Sequence, residues 1–262
     1  MSGYDFRDAC EAGDKDKVLS LIKQVDINET DEYGYTGLHM AAENGHLELV
    51  SLLLENGAGI NKLIFESLLT PLHLSLSKGK FDIAKKLIEA GADVNLISQI
   101  GICGTPLHYA IVKEQLDIVK MLIAKKADVN LVEEMNGYSP LYLAATLNQT
   151  DAMKELIKAG ADVNLVDYEE KAPLHYAAAN GLGDVVKLLV DNKADVAVQN
   201  GEGQTAEDLA EKVKEDEIVV FLKECAKGTI PSKAPGTKVR EAREFRTIVP
   251  LEGCGEGCAM PE

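Results

Sequence analysis

The chain has 262 residues, more than one average domain, a formal net charge of −16, and apolar content drawn from aliphatic side chains, with 5% aromatics and no tryptophan. That charge repels a phosphate backbone and no Lys/Arg cluster offsets it, which excludes nucleic acid and anionic membrane as expected partners. No run approaches the roughly 18 apolar residues of a membrane span, and the scarcity of rings suits thin layers of small side chains better than one large core.

Five cysteines, an odd number at scattered positions, suit reduced thiols in the cytoplasm, with the nucleus as the second compartment, better than a disulfide framework. The N-terminal stretch lacks a basic leader and an apolar segment. Ser2 follows Met1 where myristoylation needs Gly, and Cys258 stands one residue too early for prenylation, so no signal or lipid anchor is expected.

The first predicted helix pair, at 4–24, ends in Asp26-Ile27-Asn28. After it a two-part pattern recurs. Thr36-Gly37-Leu38-His39, Thr70-Pro71-Leu72-His73, Thr105-Pro106-Leu107-His108, Ser139-Pro140-Leu141-Tyr142 and Ala172-Pro173-Leu174-His175 follow one another at steps of 34, 35, 34 and 33 residues. Thr or Ser is an N-cap, and Pro at the first helical position lacks only an N–H that would have no helical partner. About nine residues on, Gly45, Gly79 and Gly181 can take the left-handed conformation that ends the helix; Asn148 does so tolerably and Glu114 less well. A second helix shows i, i+3, i+4 apolar spacing, as in Leu49, Val50, Leu53 and Leu54. It stops before Gly59-Ile60-Asn61, Asp93-Val94-Asn95, Asp128-Val129-Asn130, Asp162-Val163-Asn164 and Asp195-Val196-Ala197. The pairs are predicted at 4–24, 37–56, 71–90, 106–125, 140–159, 173–192 and 206–227, the outer two departing from the pattern as caps of a stacked array do.

This pattern resembles the ankyrin repeat over residues 4–227. The resemblance implies an all-α solenoid of seven helix pairs joined by finger loops, acting as a non-enzymatic binding module for another protein. It also implies that His39, His73, His108 and His175 hydrogen-bond between neighbouring turns and that His46 is the family's Gly-His. No phosphate loop, GxSxG or HExxH occurs, so no catalytic residue, cofactor or metal is assigned. A dedicated inhibitor or assembly factor masking a partner enzyme, and an adaptor whose tail recruits other machinery, are the alternatives.

From Gly228 the composition changes: four of the eight prolines lie there and five Lys/Arg balance five Glu, so the net charge belongs to the repeats. Residues 228–262 are expected to be a flexible tail. Its Cys254 and Cys258 offer two thiolates where structural zinc needs four ligands.

In the family, partners contact the fingers and the adjacent inner helix surface. The fingers here are 29–35, 62–69, 96–104, 131–138, 165–171 and 198–204, longest in the middle, and insertions into a repeat map to loops that often bind. The expected contact set is Tyr33, Tyr35, Ile64, Phe65, Leu68, Ile97, Ile100, Ile102, Glu133, Glu134, Met135, Tyr138 and Tyr168: apolar anchors with acidic flanks for a partner with a basic rim. The other reading of these apolar loops is that they pack on each other. A monomer is expected. By resemblance, Asn95, Asn130 and Asn164, each following Asp-Val and eight residues after a Leu, are candidates for β-hydroxylation by the asparaginyl hydroxylase that modifies this family.

Overall fold

The computed structural model describes residues 3–227; the tail and its Cys254 and Cys258 lie outside the described residues. Among the described residues there are helices and no strands. They form seven pairs: α1 (Gly3–Ala12) with α2 (Lys15–Leu21), α3 (Gly37–Asn44) with α4 (Leu47–Glu55), α5 (Pro71–Ser77) with α6 (Phe81–Glu89), α7 (Pro106–Val112) with α8 (Leu116–Ala124), α9 (Pro140–Thr146) with α10 (Thr150–Lys158), α11 (Pro173–Ala179) with α12 (Gly183–Asp191), and α13 (Ala206–Val213) with α14 (Asp216–Lys227). First helices stack on first helices throughout and, from α4 on, second helices on second helices, giving the two-layer solenoid implied by the repeats.

The helix starts follow from the caps. The hydroxyls of Thr36, Thr70 and Ser139 accept the backbone N–H of His39, His73 and Tyr142 at 3.4, 3.3 and 3.1 Å. The turns between helices are left-handed at Gly45, Gly79 and Gly181, and also at Asn148 (φ 53°) and Glu114 (φ 55°). Glu114 is forced there because its N–H reaches the Ile111 carbonyl and the Gln115 N–H reaches the Ala110 carbonyl, both at 2.9 Å. The second of these bonds closes the helix end in every other pair too, and a side chain there costs about 1–2 kcal/mol of backbone strain.

The core is a column of identical positions: Leu38, Leu72, Leu107, Leu141 and Leu174 from first helices face Leu53, Leu87, Leu122, Leu156 and Leu189 from second helices, all buried. Each repeat packs only on its neighbours, so stability is the sum of thin interfaces. A polar ladder joins them. The Asn61, Asn95, Asn130 and Asn164 side-chain oxygens accept the N–H of Asp93, Asp128, Asp162 and Asp195 in the next repeat at 2.9, 2.8, 2.8 and 2.8 Å. The amide groups of Asn95, Asn130 and Asn164 donate to the Lys126, Gly160 and Lys193 carbonyls. The three hydroxylation candidates are therefore inter-repeat clasps.

Candidate protein-binding surface

Each finger is closed by one backbone bond between its arms: Asp31 to Tyr35, Ile64 to Leu69, Ser98 to Gly104, Glu133 to Tyr138, Asp167 to Lys171 and Asn200 to Gln204, N–H to carbonyl at 3.0–3.1 Å. The donor residue also organises the loop with its side chain. Asp31 accepts the N–H of Tyr33 and Tyr35, Asp167 those of Glu169 and Lys171, and Asn200 those of Glu202 and Gln204. In finger four Glu133 accepts three, from Met135, Asn136 and Tyr138 at 2.7, 2.7 and 3.1 Å. Finger two has Ile64 at this place, and its loop instead turns through positive φ at Glu66 and Leu68.

Neighbouring fingers are stitched at their tips. The N–H of Phe65, Gln99, Glu134, Tyr168 and Gly201 donates to the carbonyl of Tyr33, Ser67, Cys103, Asn136 and Glu169 of the finger before, at 2.8–3.1 Å. Gly34 and Gly137 permit this approach: a Cβ on Gly34 would lie 2.7 Å from the Phe65 nitrogen, and one on Gly137 2.6 Å from the Tyr168 ring. Both glycines have positive φ, so any side chain there would be strained as well.

The structure sorts the expected contact residues into three groups. Ile64 and Glu133 correct the sequence reading. Ile64 is 4% exposed and belongs to the core; Glu133 is 2% exposed and holds its own loop, so neither offers an anchor or a rim charge. Each of the two donates the backbone bond that closes its finger, to the Leu69 and the Tyr138 carbonyl, and so sits at the inward base of the loop. Tyr35, Ile102 and Tyr138 are half-buried against the core, and Leu68 and Ile97 are half-buried too. Exposed remain Tyr33 (63%), Phe65 (55%), Met135 (60%), Ile100 and Tyr168, one from each of the first five fingers, with Glu134 beside them. The acids Glu32, Glu66, Glu169, Glu170 and Glu202 are also exposed. Lys171 pairs with Glu169, and an open hollow of about 290 Å³ between fingers five and six is lined by Tyr168, Lys171, Asn200, Gly201 and the three glutamates Glu169, Glu170 and Glu202.

The middle of the inner helix face, expected to share the contact, is largely closed: Leu74, Tyr109 and Leu143 are buried. Finger three causes part of this by leaning on α7, where the Tyr109 hydroxyl donates to the Ile100 carbonyl at 3.0 Å and lies 3.1 Å from the Ser98 hydroxyl. Tyr142, standing in the His column, stacks on Tyr138 with ring centroids 4.6 Å apart and planes 5° from parallel. Sequence reasoning missed Ser98 and Tyr109 because the pin joins a loop to a helix. It also missed the organising column, although Asp31, Asp167 and Asn200 each precede a cap residue by five positions.

The histidines are used structurally. The Thr36, Thr105 and Ala172 N–H groups donate to Nδ1 of His39, His108 and His175 at 3.1, 3.2 and 3.0 Å. That assigns the ring proton to Nε2, which donates to Lys62, Tyr138 and Val198 carbonyls of the next finger at 3.0–3.1 Å. Burial drives His39, His73 and His108 down to about 4, so these rings are neutral and shielded. His73 Nε2 faces the Gly104 and Leu96 carbonyls but makes no hydrogen bond. The long finger three already turns its Gly104 carbonyl to the Ser98 N–H and hydroxyl. Among the described residues no cluster of three or more His, Cys, Asp or Glu could hold a metal, and no helix is long and apolar enough to cross a membrane.

A family model for ankyrin repeats in three copies matches residues 6–98 and 107–200, and a many-copy ankyrin model matches 76–123. Inversin of Danio rerio is 52% identical over 46 residues, 18% of this chain and 4% of its own length. Alpha-latrotoxin-Lhe1a of Latrodectus hesperus is 38% identical over 60 residues, 21% of this chain and 4% of its own. The chain thus spans a small fraction of these relatives. Among solved structures, the ankyrin repeat domain of Bcl-3, described as a unique member of the IkappaB family, superposes with TM-score 0.72 at 26% identity over 82% of this chain and 97% of that one. The human ASB11 ankyrin repeat domain gives 0.66 at 27% identity over 83% and 96%. With its cap, clasp and finger geometry repeated through the stack, the chain belongs to the ankyrin-repeat family, whose repeats are protein–protein interaction modules on a typically non-enzymatic scaffold.

Proposed function

We propose that this chain is a non-enzymatic module that binds a partner protein across its finger tips, with Phe65, Ile100 and Met135 as central anchors and Tyr33 and Tyr168 extending the row. The carrying observation is that the first five fingers each expose one large apolar side chain while their other apolar residues are buried or half-buried. Interfaces concentrate affinity in a few such anchors. The exposed acids beside them, Glu66 and Glu134 among them, meet a basic rim on the partner and speed its approach. The same acids repel a second copy, so the module acts as a monomer. The free thiols of Cys10, Cys103 and Cys225 suit work in the cytoplasm or nucleus.

The test is affinity capture from the native cell with the wild-type chain and a Phe65→Ala/Met135→Ala double variant, each melted alongside. Loss of a captured protein from the double variant, with its melting temperature within about 2 °C of wild type, supports the finger-tip site. Equal capture by both sinks it.

A further inference from the structure

We propose that the element of the partner seated on the finger tips is an amphipathic α-helix whose apolar stripe is bordered by Lys and Arg. This rests on the finger-tip reading above and names what occupies that site.

The backbone of the tips decides between helix and strand. A peptide that docks by strand addition needs a row of free N–H and carbonyl groups. Along this ridge most of the tip N–H groups are already used: each finger from the second on gives one to the finger before, from Tyr33–Phe65 at one end to Glu169–Gly201 at the other, and others close their own loops. A segment crossing the tips finds side chains, not an open edge, and must satisfy its own backbone. A helix does so internally.

The side chains agree with that geometry. The anchors stand in single file, one per finger, because the stitching bonds hold successive tips side by side. An acid stands next to Tyr33, Phe65 and Met135 in the sequence: Glu32, Glu66 and Glu134, all exposed. Among the described residues no ion pair involves these three acids, whereas Lys171 meets Glu169 in finger five and Lys15 meets Glu48, Lys78 meets Glu43 and Lys154 meets Asp151 on the helices. A narrow apolar row with uncompensated negative charge beside it complements an apolar helix stripe with cations on its margins.

The probe is a synthetic leucine–lysine peptide of about 18 residues with leucines at helical spacing, long enough to hold a helix when bound. It is titrated by fluorescence anisotropy into the full chain beside two peptides of equal composition, one scrambled and one alternating with strand period. The helical-period peptide is expected to bind at least about tenfold more tightly than either control, to gain helical circular dichroism on binding, and to lose about tenfold in affinity on Phe65→Ala/Met135→Ala. Equal or tighter binding of the alternating peptide overturns the helix in favour of a strand. Equal binding of all three, insensitive to the double variant, overturns it in favour of cation collection by an acidic surface. If the captured natural partner depends on Phe65 and Met135 while the helical peptide does not, the helix falls and the finger-tip site stands. If neither depends on them, both fall.

Discussion

Replacing Glu133 by alanine is expected to loosen finger four while the helix pairs stay stacked. Its carboxylate accepts the N–H of Met135 at 2.7 Å, Asn136 at 2.7 Å and Tyr138 at 3.1 Å. Hydrogen bonds to a charged group contribute about 1.5–3 kcal/mol each, and an orphaned buried donor costs as much again. Met135 and Asn136 lie at exposed positions and Tyr138 is half-buried, so water can replace part of the loss. The net destabilisation is then about 2–4 kcal/mol, lowering the melting temperature by roughly 5–15 °C for a chain of this size. Amide hydrogen exchange at Met135, Asn136 and Tyr138 should accelerate far more than at the α7 and α8 amides. Glu134→Ala, at an exposed position, should leave the melt unchanged and slow association with the captured partner, more so at low salt. A Glu133→Ala protein that melts with wild type and keeps those three amides protected would refute the assignment of Glu133 as the organiser of its loop.

Glu114→Gly should stabilise the chain by about 1 kcal/mol, read as a raised urea midpoint, because φ at 114 is 55° and only glycine takes that conformation without strain. Ala172→Thr should add about 0.5–1 kcal/mol, since the Thr36, Thr70 and Thr105 hydroxyls lie 2.8–2.9 Å from the His Nδ1 of their own motifs and position 172 supplies only a backbone N–H; an unchanged midpoint would count against the cap. Because His39, His73 and His108 are pushed down to about 4 by burial, the unfolded chain takes up protons between about pH 6.5 and pH 4 that the folded chain does not. Their contribution to stability is whole above pH 6.5 and shrinks as pH falls, so urea midpoints should drop between about pH 7 and pH 5, and a flat profile would contradict buried neutral rings. Asn95, Asn130 and Asn164 should each gain one oxygen on incubation with active asparaginyl hydroxylase, faster in variants that open the clasps to the next repeat; peptide mass spectrometry reads it directly.

The repeat count, helix starts and inner Leu columns were legible in the sequence because they depend on local chemistry: a hydroxyl before a proline caps a helix wherever it occurs, and period and phase survive translation along the stack. Glu114 marks the edge of that legibility. Local propensity speaks against a left-handed Glu, yet the helix-end bond repeated in every pair holds it there. The fingers are decided by tertiary structure. Ile64 and Phe65, or Glu133 and Glu134, are neighbours of like type in the sequence, and only the path of the loop turns the first of each pair inward and the second outward. That path is set by backbone bonds to the preceding finger, by Gly34 and Gly137 beneath the Phe65 and Tyr168 segments, and by Tyr109 reaching up to finger three. The repeat pattern alone specifies an ankyrin array and which loops carry apolar side chains; which of those side chains face solvent depends on contacts a propensity does not encode, from finger to finger some 30 positions apart and from finger three to α7.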